Sequence, residues 1–299
     1  MGGIAMDATQ EPMRQLLGVY RRRVGEFLVT AVNDGAVAIP SEAMVGIDPQ
    51  GVAETLTASF RPPQPLVTVG TYLVEYRGSR TLVDTGAGNL MGPSLGKVAA
   101  NLHALGIAPE QIDRVVLTHL HPDHAGGMLD DAGNAVFTAA ELVLPREEEA
   151  HWLGGEPPTD ALGISAQVNA FAPQLRRAYA KGWRAIGQTE EVLPGMHRVA
   201  LAGHTPGHSG YRLASGNEQL LIWGDIVHVP TIQIANPEVG LAFDVDLEQG
   251  RATRRRILDE VATDRIAIGG MHLEFPGFGH VVRSGGSYEY VADLWLPEI

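Results

Sequence analysis

The chain has 299 residues, 44% of them hydrophobic, with 22 Lys and Arg against 35 Asp and Glu, a formal net charge of −13, and no cysteine. That length and apolar content can fill one large core, while the acidic balance opposes binding to phosphate backbones, whose partners present a basic face. The missing cysteines exclude disulfides, thiolate nucleophiles and thiolate metal sites, so any metal must be held by nitrogen and oxygen.

From the N-terminus, Glu11 to Arg23 carries Met13, Leu16, Leu17 and Tyr20 at helical spacing, which predicts a helical extension over residues 1–25. Glu26 to Val32 alternates and runs into Asn33-Asp34-Gly35, a hairpin signal. Asp48-Pro49 opens a short helix, Leu66 to Tyr76 and Thr81 to Asp84 read as a hairpin pair, and Ser94 is placed to cap a helix that Gly106 closes. Arg114 to Thr118 is a short apolar strand, and Glu141 to Leu144 is another. Residues 145–187 are helical, mixed in polarity and rich in Gly and Pro, and predict an excursion over the sheet near the candidate site. Strands follow at Met196 to Ala202, Gly210 to Ala214, Gln219 to Trp223 and Arg265 to Ile268, with an amphipathic helix at Leu247 to Thr263. No linker or repeat interrupts the chain, so one mixed α and β domain over residues 1–299 is expected, with helices layered on sheet.

No run approaches the ~18 apolar residues of a spanning helix, and Met1 to Gln10 lacks a signal-peptide layout. The expectation is a soluble cytoplasmic chain without membrane or nucleic-acid partner; a periplasmic or secreted location follows if a leader has been removed.

The strand ending at Thr118 delivers His119-Leu120-His121-Pro122-Asp123-His124, four possible metal ligands in six positions. At a strand end His119 and His121 can converge on one ion, and Pro122 then lets Asp123 and His124 start a helix and aim at a second. Further ligands are expected after other apolar strands. His208 follows a Thr-Pro-Gly turn, Asp225 follows Leu220 to Gly224, and His272 follows Ile266 to Met271. His103, His151, His197, His204 and His280 receive a structural reading.

This set, His119-x-His121-x-Asp123-His124 followed by His208, Asp225 and His272, resembles the metallo-β-lactamase superfamily of hydrolases. The resemblance implies a four-layer αββα sandwich with a dinuclear site at one edge. It assigns His119, His121 and His208 to one metal, Asp123, His124 and His272 to the other, and Asp225 as the bridge, with Asp84 orienting ligands from behind them. Two zinc ions suit such ligands, and manganese, cobalt or iron fit the same donors. A hydroxide shared by the metals would attack the substrate.

Within the superfamily, the net charge opposes a nuclease, His121 opposes the flavodiiron branch, Asp225 opposes the β-lactamases, and no basic C-terminal region suggests a glutathione thioesterase. Leu82 to Ala87, Gly92 to Gly96, Ala99 to Leu102, Gly224 to Val229 and Phe275 to His280 are similar to the methyl parathion hydrolase group. That similarity implies hydrolysis of organophosphate triesters, a small-molecule substrate and a homodimer. Lactonase activity of the acyl-homoserine lactone type, or carboxylic or aryl esterase activity, is the alternative, and a non-catalytic metal-binding module the remote one. His228, three residues after Asp225, stands where many lactonases of the superfamily place a substrate-contacting tyrosine, and is a candidate catalytic group. Met91, Trp152 and Phe243 are candidate pocket residues.

Overall fold

The structure is a computed structural model and describes residues 15, 17–155 and 163–299. In chain order it begins with β1 (Val19–Val24), β2 (Phe27–Ala38), β3 (Met44–Val45), α1 (Pro49–Ala58), β4 (Leu66–Tyr76), β5 (Ser79–Val83), α2 (Val98–Ala104), β6 (Arg114–Val116) and α3 (Pro122–Ala125). It continues with β7 (Glu141–Pro145), α4 (Arg146–Leu153), α5 (Ile164–Ala178), β8 (Trp183–Ile186), β9 (Glu191–Leu193), β10 (Met196–Ala200), β11 (Ser209–Ser215) and β12 (Glu218–Ile222). The last elements are α6 (Pro230–Gln233), β13 (Gly240–Leu241), α7 (Leu247–Asp264), β14 (Ala267–Gly269), β15 (Phe278–Ser284) and β16 (Ser287–Ala292).

Two seven-stranded sheets, ordered β1-β2-β4-β5-β6-β7-β8 and β16-β15-β14-β12-β11-β10-β9, pack face to face. Side-chain alternation along single strands builds the layers. Val116 and Val143 join Tyr211, Leu213, Leu220 and Ile222 in the core between the sheets. Val115, Leu142 and Leu144 face the other way, against α2 and α5, while Leu221 and Ile268 face α7 through Ile257, Leu258 and Val261. A strand covered by sheet on one face and helix on the other must be apolar throughout, which is why β6, β7 and β12 read as continuous hydrophobic runs. The αββα sandwich expected from the sequence is thus present.

Three local expectations fail. Residues 1–14 and 16 lie outside the described residues, but Val19–Val24 form a strand and not the end of a helix; they pair with β2 through Val24 and Phe27 across a turn in which Gly25 has φ +54°. Sheet pairing overrides a weak helical period. Asn33-Asp34-Gly35 does not turn the chain. β2 runs through it with a register shift between Asn33 and Gly35, and the bulge directs the buried Asp34 carboxylate at the backbone N–H groups of Ala87, Gly96 and Val98. That last bond caps α2 from another strand, so the helix begins at Val98 and Ser94 makes no cap. In the predicted excursion 145–187, α4 and α5 are helical, residues 156–162 lie outside the described residues, and Trp183–Ile186 is an edge strand paired with β7. Among the described residues no helix is long and apolar enough to cross a membrane.

Candidate metal centre

Each chemical side chain of the site leaves the carboxyl end of a strand, at one edge of the sandwich: Asp84 after β5, His119 after β6, His204 after β10, Asp225 after β12 and His272 after β14. The crevice outside the carboxyl ends of parallel strands is where such sheets bind ligands, and here β5, β6, β12 and β14 supply parallel pairs.

Two separate groups of side chains offer ligand atoms within 4.8 Å of one another, His119, His121, His204 and Asp225, and Asp123, His124 and His272, and a third, Asp225, His228 and His272, shares members with both. Asp225 lies between the two separate groups. Its Oδ2 is 3.6 Å from His119 Nε2 and 3.2 Å from His204 Nε2, and on the other side its Oδ1 is 3.2 Å from His124 Nε2 and its Oδ2 3.3 Å from His272 Nε2. His119 Nε2, His124 Nε2, His272 Nε2 and Asp225 Oδ1 are buried and have no hydrogen-bond partner. Polar atoms left so in a protein interior cost free energy unless something satisfies them. Four of them, all aimed at one space from nitrogen and oxygen donors, fit divalent cations.

Behind the ligands, backbone and carboxylate groups fix the imidazoles. Asp84, held at φ +60°, accepts from Thr118 N at 2.7 Å and Thr118 Oγ1 at 2.8 Å, and meets His124 Nδ1 at 2.8 Å, leaving His124 Nε2 facing the centre. His272 Nδ1 lies 2.7 Å from Thr68 O, and His204 Nδ1 lies 2.8 Å from Asp244 Oδ1. Such partners fix tautomer and ring orientation.

The charges of this cluster hold one another. Burial works against ionised Asp225, yet the imidazoles of His124, His272, His119 and His228 keep its carboxyl well below the usual range. Burial would lower His204 too, but its hydrogen bonds to Asp225 and Asp244 push it up to about 9. Burial lowers His119 and His121, and takes His228 down to about 4 against the pull of Asp225.

His208, expected as the third imidazole of the first group, stands outside it. Its Nδ1 lies 2.9 Å from Leu201 O, and its Nε2 accepts the backbone N–H of Asp225 at 2.8 Å, so both ring nitrogens are engaged. The contact is close enough that a Cβ on Gly224 would come within 2.4 Å of that Nε2. His204, read from the sequence as structural, lies in that group by position, its Nε2 2.9 Å from His121 Nδ1. The Thr205-Pro206-Gly207 turn separates the two: the first histidine leaves β10 toward the strand-end crevice, and the second already leads into β11. A signal was present, since His204 and His208 share one turn, but the sequence does not say which ring faces inward.

Of the other candidates, His228 lies at the centre, its Nε2 3.0 Å from Asp225 Oδ2 and its ring stacked on His272 at 4.7 Å between centroids. Its Nδ1 is buried without a partner. Phe243 meets His204 and His228 edge-on. Trp152 does not line the mouth of the site; it is 5% exposed in the core, edge-on to His121, with Nε1 donating to Glu148. Met91 packs on Val69, Ala87 and Leu95, away from the imidazoles. A cavity of about 150 Å³ opens beside His272 and is walled by Leu56, Leu66, Val229 and Pro230, with Arg61 and Glu274 at its side.

Residues 66–269 match the model of the metallo-beta-lactamase superfamily. A solved hydrolase of the beta-lactamase superfamily, AbOPH, is 30% identical and superposes with a TM-score of 0.87 over 95% of this chain and 100% of that one. AidC, a dizinc quorum-quenching lactonase solved with a product, superposes with a TM-score of 0.86 at 22% identity over 93% and 98%, a likeness of fold. Among curated proteins, an N-acyl homoserine lactonase of Bacillus cereus is 24% identical over 133 residues, 42% of each chain. The N-acyl homoserine lactonase AiiB of Agrobacterium fabrum is 26% identical over 172 residues, 48% of this chain and 57% of that one. The matches thus span about half the length of these curated relatives. The shared fold and the family match lead to one conclusion: the chain belongs to the metallo-beta-lactamase superfamily.

Proposed function

We propose that the chain opens the ester ring of N-acyl homoserine lactones at two zinc ions. His119, His121 and His204 hold one, Asp123, His124 and His272 the other, and Asp225 serves both. The observation that carries the reading is the pair of buried ligand groups joined at Asp225. The names of the curated relatives point to the lactone, and the apolar cavity beside His272 suits an acyl arm.

Two divalent cations bound there supply Lewis acidity and hydroxide near neutral pH. The chain's own groups supply the rest. Asp225, kept ionised by four imidazoles, would serve both ligand groups. Too weak a base to take a proton, it would orient the attacking water by accepting its hydrogen bond while the proton passes to solvent. His228, neutral near pH 7 with its Nε2–H toward Asp225, leaves its unpartnered Nδ1 as an acceptor for the amide N–H of the substrate. Phe243 walls the rings from one side and limits water.

Zinc-loaded protein and an Asp225→Asn variant should be compared on N-hexanoyl homoserine lactone by proton release, with metal content measured by elemental analysis. Wild-type turnover no faster than that of the variant would overturn the reading. A second reading, hydrolysis of dialkyl aryl phosphotriesters, is favoured by the stretches similar to methyl parathion hydrolases, among them Gly92 to Gly96 and Phe275 to His280. Phosphotriester turnover above lactone turnover in the same assay would put it first. Assembly as a homodimer belongs to the same reading, and light scattering tests it.

A further inference from the structure

Glu148 belongs to neither ligand group, yet it is fully buried on α4 and binds the loops that carry them. Its Oε2 accepts Leu120 N at 3.1 Å, in the step between His119 and His121, and Trp152 Nε1 at 2.9 Å. Its Oε1 accepts Gly207 N at 2.9 Å and the Thr205 hydroxyl, in the turn that begins at His204. One oxygen therefore fixes the His119–His121 loop and the tryptophan behind His121, and the other fixes the His204 loop. A Cβ on Gly207 would stand 2.4 Å from Glu148 N and 2.7 Å from Glu148 Cγ, so the turn is seated against α4 as closely as a residue without a side chain permits.

We infer that Glu148 is a positioning residue, which sets the spacing of His121 and His204 and thereby the cation affinity of the first ligand group. The inference rests on the metal-centre reading above. Three of the four donors come from two loops that reach the site from different sheets, and the fourth is the indole packed on His121. The length of Glu matters as well as its charge, since the two oxygens must reach opposite loops at once.

Glu148→Gln keeps the shape and replaces one acceptor oxygen by an NH₂ group. Turned toward Leu120 and Trp152, that group faces two N–H donors, neither of which can accept. Turned the other way, the Thr205 hydroxyl can rotate to accept, while Gly207 N–H loses its partner. The His204 side therefore loosens. The test titrates metal-free wild type, Glu148→Gln, Thr205→Val and Thr205→Ser with Co(II) against a chromophoric chelator, with thermal melts and circular dichroism on each metal-free protein.

Two uptake steps are expected for wild type. In Glu148→Gln and Thr205→Val the step of the first group should weaken by about ten- to a hundredfold; the step of the second group should stay within about twofold, and Thr205→Ser should restore wild-type behaviour. Equal weakening of both steps with a lowered melting point would mean a general structural role and overturn the inference, as would wild-type affinities in Glu148→Gln. If Glu148→Gln fails to fold, the Thr205→Val and Thr205→Ser pair decides. Absence of cation uptake by wild type would instead overturn the metal-centre reading, and this inference with it.

Discussion

Two segments of the molecule carry closely spaced histidines, and they behave differently. In His119 to His124, which follows β6, every imidazole and the carboxylate between them turn toward the centre. In His204 to His208, which follows β10, only the first imidazole does, and the second is consumed by Leu201 O and the Asp225 N–H. Spacing alone does not explain this. What separates the segments is the chain that follows: after His121 a proline starts a short helix whose first turn presents Asp123 and His124, whereas after Gly207 the chain enters β11, and His208 is carried into the sheet beside Ser209. Nearby histidines thus face the shared centre or the sheet according to the element that takes up the chain behind them.

The largest expected effect breaks this comparison directly. His204→Ala should lose cation affinity at the first group by at least the ~100-fold upper end found when only an orienting partner is lost, and activity with it. His208→Ala should retain both ligand groups and instead lose about 1–3 kcal/mol of stability, because the buried Asp225 N–H is left without an acceptor. Elemental analysis beside thermal melts separates the two, and metal loss confined to His208→Ala would reverse the assignment.

Next in size, Asp84→Asn should weaken cation binding by the second group by about 10- to 100-fold, since an amide in either orientation cannot serve Thr118 N, the Thr118 hydroxyl and His124 Nδ1 together. Unchanged chelator competition in that variant would show that His124 needs no partner. Asp244→Asn should act at the lower end, about tenfold, and on the first group only, because His204 also keeps its place between Asp225 and His121.

The smallest effect is one of pH. His204 has its pKa pushed up to about 9 in the metal-free protein, against about 6.5 in an unfolded chain. A raised folded value means stability that is complete below about pH 6.5 and is lost as pH climbs through about 9. The histidines that burial lowers, His119, His121, His208 and His228, oppose the trend near pH 6.5, where their unfolded forms still bind protons, and drop out above about pH 7.5, where they are neutral in both states. His124 and His272, raised against burial by the carboxylates beside them, add to it. Metal-free protein should therefore melt a few degrees lower at about pH 9.5 than at about pH 7.5, while cation affinity rises, since the cation need no longer displace the His204 proton. A flat melting profile in chelator would show that His204 is not held charged by Asp225 and Asp244.

Local rules reached further in some segments than in others. The apolar runs at Arg114 to Thr118, Glu141 to Leu144 and Gln219 to Trp223 could be recognised as strands because strands buried on both faces leave an unbroken hydrophobic signature. Asp48 before Pro49 marked a helix start, and its side chain does cap Gly51 N. Residues 19–24 and Asn33-Asp34-Gly35 misled, since pairing with β2 and the needs of a distant helix cap decided their conformation. Trp152 shows a similar limit: an aromatic looks the same in sequence whether it lines a pocket or packs in the core beside His121.

The order of residues was enough to give the αββα class and to point to His and Asp side chains gathered at strand ends, because strand ends followed by His or Asp are short-range patterns that survive without coordinates. The choice between His204 and His208, the bracing of both ligand loops by Glu148, and the position of His228 over His272 belong to the tertiary structure. Each depends on groups from different elements meeting within a hydrogen-bond or ring-stacking distance, and nothing local in the chain encodes such a meeting.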